Sequence, residues 1–324
     1  MKILLLSPGK QVYLVERFKK YFEVVIGDNS EYSLNTFSVD SKYLMPKYKD
    51  RTYKNSVFSI VRDEKVDLVL SLSDIEITIL SSYEEELKAL NCILISLTHT
   101  MASICLDKFD FACFLSNNSI LTPKTYETFK SVWDALHHNN IFYPIIVKER
   151  KGMGSRGIVL IHNEAELEYY SDINLNIHDK YVFQEYIVGI EYGIDIINDL
   201  KGEYYCSVVR EKISMRHGET EAATIVEHPT ITSLAVRLSH LFKHKGNMDC
   251  DILQDSNGNL YVIDMNPRFG GGYIFSLTAG VDVPFLIHEW ALSRKVPKVT
   301  FEIGKTYRKI TSLTEMSFSN IDLI

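Results

Sequence analysis

The residues best suited to chemistry are four oxygen-bearing side chains in the segment 249–272. Two apolar, strand-like runs in this segment flank the pair Asn257-Gly258. Both residues of an Asn-Gly pair tolerate the positive φ of a type I′ turn, so the pattern predicts a β-hairpin in which Ser256 faces Asn259. In that register the four polar side chains share one face, with Asp251 opposite Asp264 and Asp249 opposite Asn266.

The charge on this face indicates the chemistry that the hairpin could support. Directly opposed Cβ atoms lie roughly 5 Å apart, and facing like charges are destabilising unless something neutralises them. A divalent cation between Asp251 and Asp264 would do so, and oxygen ligands suit Mg²⁺, which keeps several waters and binds substrate phosphates. The hairpin therefore predicts a platform for a magnesium nucleotide. The alternative is that these acids lie solvated at strand ends.

A glycine-rich loop joins two apolar runs within residues 143–161. Its Gly152, Gly154 and Gly157 match GxGxxG, but an apolar run follows at once, where a dinucleotide-binding fold requires a helix. A glycine-rich turn between two strands can instead cover a triphosphate and offer it backbone N–H groups. We therefore predict a phosphate lid, poorly ordered without nucleotide, with the ammonium of Lys148 on the phosphates. A solvated surface lysine is the alternative for Lys148.

Two further segments offer polar groups to a nucleotide or a substrate. The backbone of residues 185–187 could face an adenine edge, and Glu191 could bind ribose hydroxyls. A later strand-like run leads into Arg210, Lys212 and Arg216, a basic cluster in an acidic chain. Guanidinium groups match carboxylates and phosphates in bidentate fashion, so the cluster favours an anionic substrate or a developing acyl phosphate. Its alternative is a solvated sheet edge.

The first hundred residues alternate strand-like and helix-like runs, beginning with KILLL at residues 2–6. This alternation predicts a small parallel sheet with helices on both faces. Two turns, residues 7–9 and 71–76, fall at the carboxyl ends of strands, where open α/β sheets bind ligands. Because the first turn lacks GxGxxG, we expect no nucleotide there. Asp74 and Glu76 are interpreted as caps of the following helix rather than as catalytic acids.

Length and composition define the broad class of protein. The 324 residues are enough for about two domains. The net charge of -7 argues against a general nucleic-acid surface. Five cysteines without a CxxC pair indicate reduced thiols rather than a disulfide framework or a zinc site. The sequence contains neither a signal-peptide pattern nor an apolar run long enough for a membrane span, so we expect a cytoplasmic protein.

Four features together resemble the ATP-grasp superfamily, and within it the large subunit of carbamoyl phosphate synthase. They are Lys108 in LDKF, Lys148 with its glycine loop, the run Gln184 to Ile187 followed by Glu191, and DCDIL with VIDMNPRFGGG. The resemblance covers nearly the whole chain, and DMNPRFGGG is its most specific part.

The resemblance implies a fold of the α/β and α+β classes. A small parallel-sheet domain, the pre-ATP-grasp domain, would span residues 1–100, and an ATP-grasp domain would span residues 101–292. The ATP-grasp domain would consist of two α+β subdomains, a glycine-loop subdomain near residues 120–185 and a metal-binding subdomain near residues 186–292. Residues 293–324 would form a C-terminal extension.

The resemblance also implies roles for individual residues. Asp251, Asp264 and Asn266 would hold Mg²⁺, with Mn²⁺ as an alternative ion. The family usually has Glu in place of Asp264, and the shorter side chain leaves the number of metal ions open. Arg268 would act on the transferring phosphoryl group. Separately from the resemblance, the basic cluster leads us to expect that Arg210 pairs with a carboxylate of the acceptor and is a second catalytic cation. The residues for ATP would be Lys108, Lys148 (also catalytic), Gly152, Gly154, Ser155 and Gly157 on the phosphates, Gln184, Glu185, Tyr186 and Ile187 along the adenine, and Glu191 on the ribose.

A single ATP-grasp unit implies a smaller reaction than complete carbamoyl phosphate synthesis, for which the family uses two units. Single units resemble carboxylate–amine ligases, in which ATP phosphorylates a carboxylate and an amine displaces phosphate. We therefore expect a ligase that uses Mg-ATP and joins a small-molecule carboxylate to an amine. The sequence leaves open whether the protein forms a homodimer. The alternatives are a small-molecule kinase, a phosphorylation like that of carbamoyl phosphate synthase, and a nucleotide-binding protein without turnover. No Ser-His-Asp, Cys-His or HExxH pattern competes with this expectation.

Overall fold

The computed structural model describes residues 1–152, 157–173, 180–216, 218–310, 313, 315–316 and 321–323. Within these residues the chain forms three β-sheets, one parallel and two antiparallel. The parallel sheet is N-terminal, as the alternation of apolar runs predicts. Across the same described ranges, no helix is both long and apolar enough to cross a lipid bilayer.

The N-terminal domain is a parallel sheet with helices on both faces. Ile3 and Leu5 of its first strand pack in the core on one side, and Leu4 and Leu6 pack in the core on the other. A strand buried on both faces needs a continuous apolar run, which explains KILLL. Along the chain the elements are β1 (Lys2–Leu6), α1 (Val12–Phe18), β2 (Glu23–Asp28), α2 (Glu31–Asn35), β3 (Ser41–Leu44), α3 (Tyr53–Asp63), β4 (Leu68–Ser71), α4 (Asp74–Ser81), α5 (Glu84–Ala89) and β5 (Ile93–Leu94).

Two consecutive helices lead from this domain into a small antiparallel sheet. The helices are α6 (His99–Leu106) and α7 (Lys108–Asn117). Asp107 caps the N-terminus of α7, and its carboxylate accepts hydrogen bonds from the Phe109 and Asp110 N–H groups. The small sheet has the strand order β6-β9-β7-β8. Its elements are β6 (Thr125–Tyr126), α8 (Phe129–His137), β7 (Ile145–Glu149), β8 (Val159–Ile161), α9 (Glu164–Ile173) and β9 (Tyr181–Glu185).

The remaining residues form a larger antiparallel sheet with the order β14-β13-β10-β11-β12-β15. Its elements, with the last strand of the chain, are β10 (Ile190–Asn198), β11 (Tyr204–Arg216), β12 (Glu219–Val226), α10 (Pro229–Phe242), β13 (Gly246–Gln254), β14 (Leu260–Asn266), α11 (Tyr273–Thr278), α12 (Val283–Ala291), β15 (Thr306–Arg308) and β16 (Asp322–Leu323). The C-terminal segment connects two sheets, because β15 pairs with β12 and β16 pairs with β3.

One hydrophobic core joins the N-terminal domain to the large sheet. It contains Phe18 of α1 together with Phe269 and Tyr273, and all three rings are fully buried. The Phe269 ring meets the Phe18 ring edge-on at 5.8 Å and the Tyr273 ring at 4.6 Å between centroids. Arg17 adds an ion pair to Asp282 at 2.6 Å. The two parts of the chain are therefore packed as one body.

We expect Phe269→Ala to destabilise the whole protein, because its ring fills space between the two parts. Truncation of a buried Phe typically costs about 3–5 kcal/mol of unfolding free energy. The matched control is Tyr32, whose side chain is exposed; Tyr32→Ala should cost less than about 0.5 kcal/mol. Urea unfolding measures both variants, and equal midpoints would contradict the shared core.

Candidate active site

The carboxylate hairpin, formed by β13 and β14, has the predicted register. Asp251 pairs with Asp264 and Asp249 pairs with Asn266, and all four residues line one cavity. The hairpin prediction is confirmed in the pairing of its functional residues.

The turn of this hairpin differs from the prediction. Gly258 has a φ of +84° but Asn257 is not left-handed, so the turn is not type I′. The Gly258 N–H donates to the Asp255 carbonyl at 3.0 Å, and Asp255 rather than Ser256 faces Asn259. A β-bulge between the pairs of Asp251 and Ile252 then shifts the register by one residue. The two departures cancel, which leaves the predicted pairing intact.

The hairpin face fits a divalent cation by its donor chemistry. Burial raises the pKa of Asp264; Asp251 raises it further, while Lys108 and Lys148 oppose the rise. Among the described residues, no three His, Cys, Asp or Glu side chains stand together as metal ligands. A cation here would therefore have two carboxylates and the Asn266 amide as protein ligands. Such a set leaves positions for phosphate oxygens and water, as Mg²⁺ prefers.

A buried guanidinium fixes one side of the hairpin. Arg210 is 1% exposed and donates to Asp195 and to Asp249, each at 2.5 Å. Asp195 also accepts from the Ser276 hydroxyl at 2.5 Å and the Asn247 amide at 3.0 Å. The charge of Arg210 is thus already neutralised by the protein. These contacts favour a role in positioning Asp249 over the expected role in binding an acceptor.

The three glycines after the hairpin make room for this ion pair. A Cβ on Gly270 would lie less than 3 Å from the Asp249 carboxylate, and a Cβ on Gly272 would lie less than 3 Å from the Arg210 guanidinium. Real Cβ atoms essentially never approach so closely. The two outer glycines therefore let the chain pass directly over the buried charges.

Arg268 connects the hairpin to the N-terminal domain. Its Nη2 lies 2.8 Å from the Asp74 carboxylate, and its Nη1 donates to the Phe269 carbonyl at 3.2 Å. The prediction that Asp74 and Glu76 cap α4 is wrong, because Ser73 is the N-cap residue and makes no side-chain cap bond. Asp74 instead faces Arg268, and Glu76 is buried and accepts from the Ser71 hydroxyl at 2.8 Å.

Two lysines approach the hairpin from the small sheet and α7. Lys108 donates to the Gly152 carbonyl at 2.6 Å. Lys148 lies on β7 and forms no ion pair within the described ranges. Burial and the nearby charge of Lys108 lower the pKa of Lys148 to about 8, although Asp264 opposes the shift. Both lysines are therefore within electrostatic reach of the predicted metal ligands.

The predicted phosphate lid is described only at its ends. Gly152 is described and Gly157 has a φ of +69°, but Gly154 and Ser155 lie outside the described residues. The lid therefore stays a prediction.

The predicted adenosine-binding residues lie where the small sheet meets the large one. Gln184 is buried and donates to the Thr125 hydroxyl at 2.8 Å. Tyr186 and Ile187 lie in the connection between β9 and β10. Glu191 accepts from Lys212 at 2.5 Å, and Lys212 also pairs with Asp251 at 2.7 Å. Glu191 is thereby linked to the metal face through one lysine.

A cavity of about 1280 Å³ brings many of these groups together. Its walls include the turn after β1, part of α7, the β11–β12 and β13–β14 hairpins, and residues after β15. Lys148, Glu191 and residues 184–187 are not among its described lining residues. Predicted site residues on its wall are Lys108, Gly152, Arg210, Asp251, Asp264, Asn266 and Arg268.

Two residues of this arrangement, Asp195 and Lys309, were not predicted from the sequence. Asp195 is fully buried and holds Arg210; the signal that could have found it is a single acid inside the apolar run 192–197. Lys309 reaches the cavity wall through β15, and no pattern in the sequence marks it.

The fold defined by these elements is shared with solved structures. One is the biotin carboxylase domain of the 2-oxoglutarate carboxylase from Hydrogenobacter thermophilus, in complex with MgADP, ADP and bicarbonate. It aligns with a TM-score of 0.73 and 17% identity, over 91% of this chain and 70% of that chain. At this identity the likeness concerns the fold.

Sequence comparison then gives the family. Residues 105–272, more than half of the chain, match the ATP-grasp domain family, and residues 3–95 match the family described as PylC-like, N-terminal domain. The chain therefore belongs to the ATP-grasp family, which confirms the predicted family and fold class.

Similar curated proteins are longer or only partly matched. The carbamoyl phosphate synthase large chain from Clostridium botulinum is 24% identical over 278 residues, which are 79% of this chain and 24% of that protein. The D-alanine–D-alanine ligase from Petrotoga mobilis is 28% identical over 185 residues, which are 55% of this chain and 59% of that protein. The chain thus spans about a quarter of the length of the first relative.

We expect Gly270→Ala to destabilise the protein, because the added methyl group would meet the Asp249 carboxylate. Overpacking of this kind typically costs about 1–3 kcal/mol. Gly271→Ala is the matched control, since its methyl group would lie 3.6 Å from the nearest atom, an ordinary contact. Thermal unfolding compares the two variants, and equal Tm values would refute this explanation of the glycines.

Proposed function

We propose that the protein is an ATP-dependent ligase that activates a carboxylate as an acyl phosphate and joins it to an amine. The observation that carries this proposal is the hairpin face of Asp251, Asp264 and Asn266, which has two lysines beside it and Arg268 at its end. Membership of the ATP-grasp family and the MgADP of the similar solved structure support ATP and Mg²⁺ as ligands. A cytoplasmic location, where ATP is available, belongs to the same proposal.

We assign the adenosine end of ATP to the connection between β9 and β10. Tyr186 there is 41% exposed, so a flat base could cover it. Glu191 is the second residue of the next strand and would accept hydrogen bonds from the ribose. Because Lys212 bridges Glu191 and Asp251, the ribose and the phosphates would follow one row of charged groups.

We assign the phosphates to Lys108 and Lys148. Lys148 is suited to this role because it has no carboxylate partner within the described ranges and is held on a strand. Asp251, Asp264 and Asn266 would hold Mg²⁺, which when bound neutralises phosphate charge and polarises the transferred phosphoryl group.

We assign Arg268 to the charge that develops during transfer. Its guanidinium is oriented by Asp74 and by the Phe269 carbonyl, so it needs little reorganisation when charge appears. In the first step a carboxylate oxygen of the substrate attacks the γ-phosphorus and ADP leaves. In the second step the amine nitrogen attacks the acyl carbon, phosphate leaves with the bonding electrons, and the amine loses a proton. In this proposal the cavity would hold both substrates close to each other for these steps.

A screen for ADP release with paired carboxylates and amines tests the proposal. We expect ADP and phosphate to appear together only when a matching acid and amine are both present. ADP formation with a stable phosphorylated acid and no amine requirement would indicate a kinase instead. Binding of Mg-ATP without release for any pair would indicate a nucleotide-binding protein without turnover.

Asp264→Asn is expected to abolish turnover in this screen, because it removes charge from the cation site. The fold should remain intact, since the change relieves repulsion with Asp251. Circular dichroism and the unfolding midpoint verify the fold. A variant with normal activity in Mg²⁺ would exclude the hairpin as the metal site.

Affinity for an ATP analogue should depend on the charge of Lys148. Burial lowers the pKa of Lys148 to about 8, and only the protonated ammonium attracts phosphate. Affinity should therefore fall as the pH rises through this pKa, by up to about tenfold per pH unit. Lys148→Arg stays charged, so its affinity should remain nearly constant. Calorimetric titrations at several pH values measure the affinity of both proteins for the analogue. A wild-type affinity that does not change with pH would contradict the role of Lys148.

A further inference from the structure

The wall of the cavity beside the glycine turn has an excess of positive charge. At the hairpin, Lys212 pairs with Glu191 and Asp251, Arg268 pairs with Asp74, and Lys108 donates to the Gly152 carbonyl. On the wall formed by the turn after β1, the β11–β12 hairpin and the residues after β15, the described lining residues include four cations and two carboxylates: Lys10, Arg216, Arg308 and Lys309 with Glu219 and Glu221.

Glu219 is shared between two lysines from opposite ends of the sequence. Lys10, in the turn after β1, lies 2.8 Å from one carboxylate oxygen, and Lys309, after β15, lies 3.7 Å from the other. The backbone N–H of Lys309 donates to the Glu221 carbonyl at 2.8 Å. This bond and the pairing of β15 with β12 fix the position of Lys309 on the wall.

The Lys309 ammonium lies close to the proposed reaction centre. It is 3.8 Å from the position that a Cβ on Gly271 would take, between the two glycines that pack on Asp249 and Arg210. Burial lowers the pKa of Lys309; Glu219 opposes this, and Arg210 and Lys10 lower the pKa further. The single shared carboxylate therefore leaves positive charge uncompensated at this position.

We propose that Lys309 and Lys10 bind an anionic group of the acceptor, a carboxylate or phosphate other than the carboxylate that is activated. This inference rests on the proposed ligase function, because it adds a substrate class to the same cavity. Lys309 lies outside residues 105–272 and 3–95, which match the two families. It would be a specificity-determining residue that the C-terminal segment of this chain contributes.

Thermal unfolding with added succinate or inorganic phosphate tests the proposal without knowledge of the substrate. An anion that binds the native state raises its Tm. We expect Lys309→Met to need about tenfold more anion for the same increase, and Lys309→Arg to retain most of the response. Lys305→Met is the matched control. Lys305 lies on the same segment, and its side chain is 60% exposed and pairs with Glu302 at a distance of 3.5 Å. Lys305 is not among the described lining residues of the cavity.

Lys10→Met provides a second variant, because this side chain is 83% exposed and its removal should not disturb folding. A response to succinate alone identifies a carboxylate site, and a response to phosphate alone identifies a phosphate site. No response of the wild type to either anion would overturn the proposal. An increase in Tm with anion that is the same for Lys309→Met as for Lys305→Met would also overturn the proposal. If Lys309→Met does not fold, the same comparison is made between Lys10→Met and Lys305→Met. Binding of Mg-ATP to the same preparations tests the ligase proposal separately.

Discussion

The buried ion pair of Arg210 with Asp195 and Asp249 is the interaction on which the geometry of the site depends. Burial raises the pKa of Asp249 although Arg210 opposes the rise, so the ionised carboxylate is less favourable here than in water. The pair therefore contributes position more than net stability, as is common for buried charges. Removing one partner would leave an uncompensated charge, which typically costs about 3–5 kcal/mol.

This constraint explains neighbouring features that look unrelated in the sequence. Gly270 and Gly272 are glycines because the chain must pass over the two charged groups. The same turn carries Arg268 into contact with Asp74 and places Phe269 in the core shared with the N-terminal domain. The hairpin, the turn and the N-terminal domain are thus held in one arrangement.

The parallel sheet and the family were predictable from the sequence, because they depend on local patterns of apolar residues and on short motifs. The pairing of the carboxylates was predicted correctly but from a two-residue turn, whereas the chain uses a longer turn and a compensating bulge. The sequence was insufficient where contacts connect distant segments. Arg210 was predicted to bind a substrate, because its partners Asp195 and Asp249 lie 15 and 39 residues away and no local pattern connects them to it. Asp74 was interpreted as a helix cap because its partner Arg268 is 194 residues distant.

The metal face and the wall beside the glycine turn draw on different parts of the chain, and this difference has a physical consequence. The metal face lies within the residues that match the ATP-grasp family, and Arg210 and Lys212 there pair with buried or half-buried carboxylates. Lys10 and Lys309 come from outside those residues, and both pair with Glu219 on β12. Neither lysine pairs with Asp195 or Asp249, so substitutions of the two lysines keep the direct contacts of the buried ion pair. The proposed acceptor contacts could therefore change while the geometry proposed to bind ATP is retained.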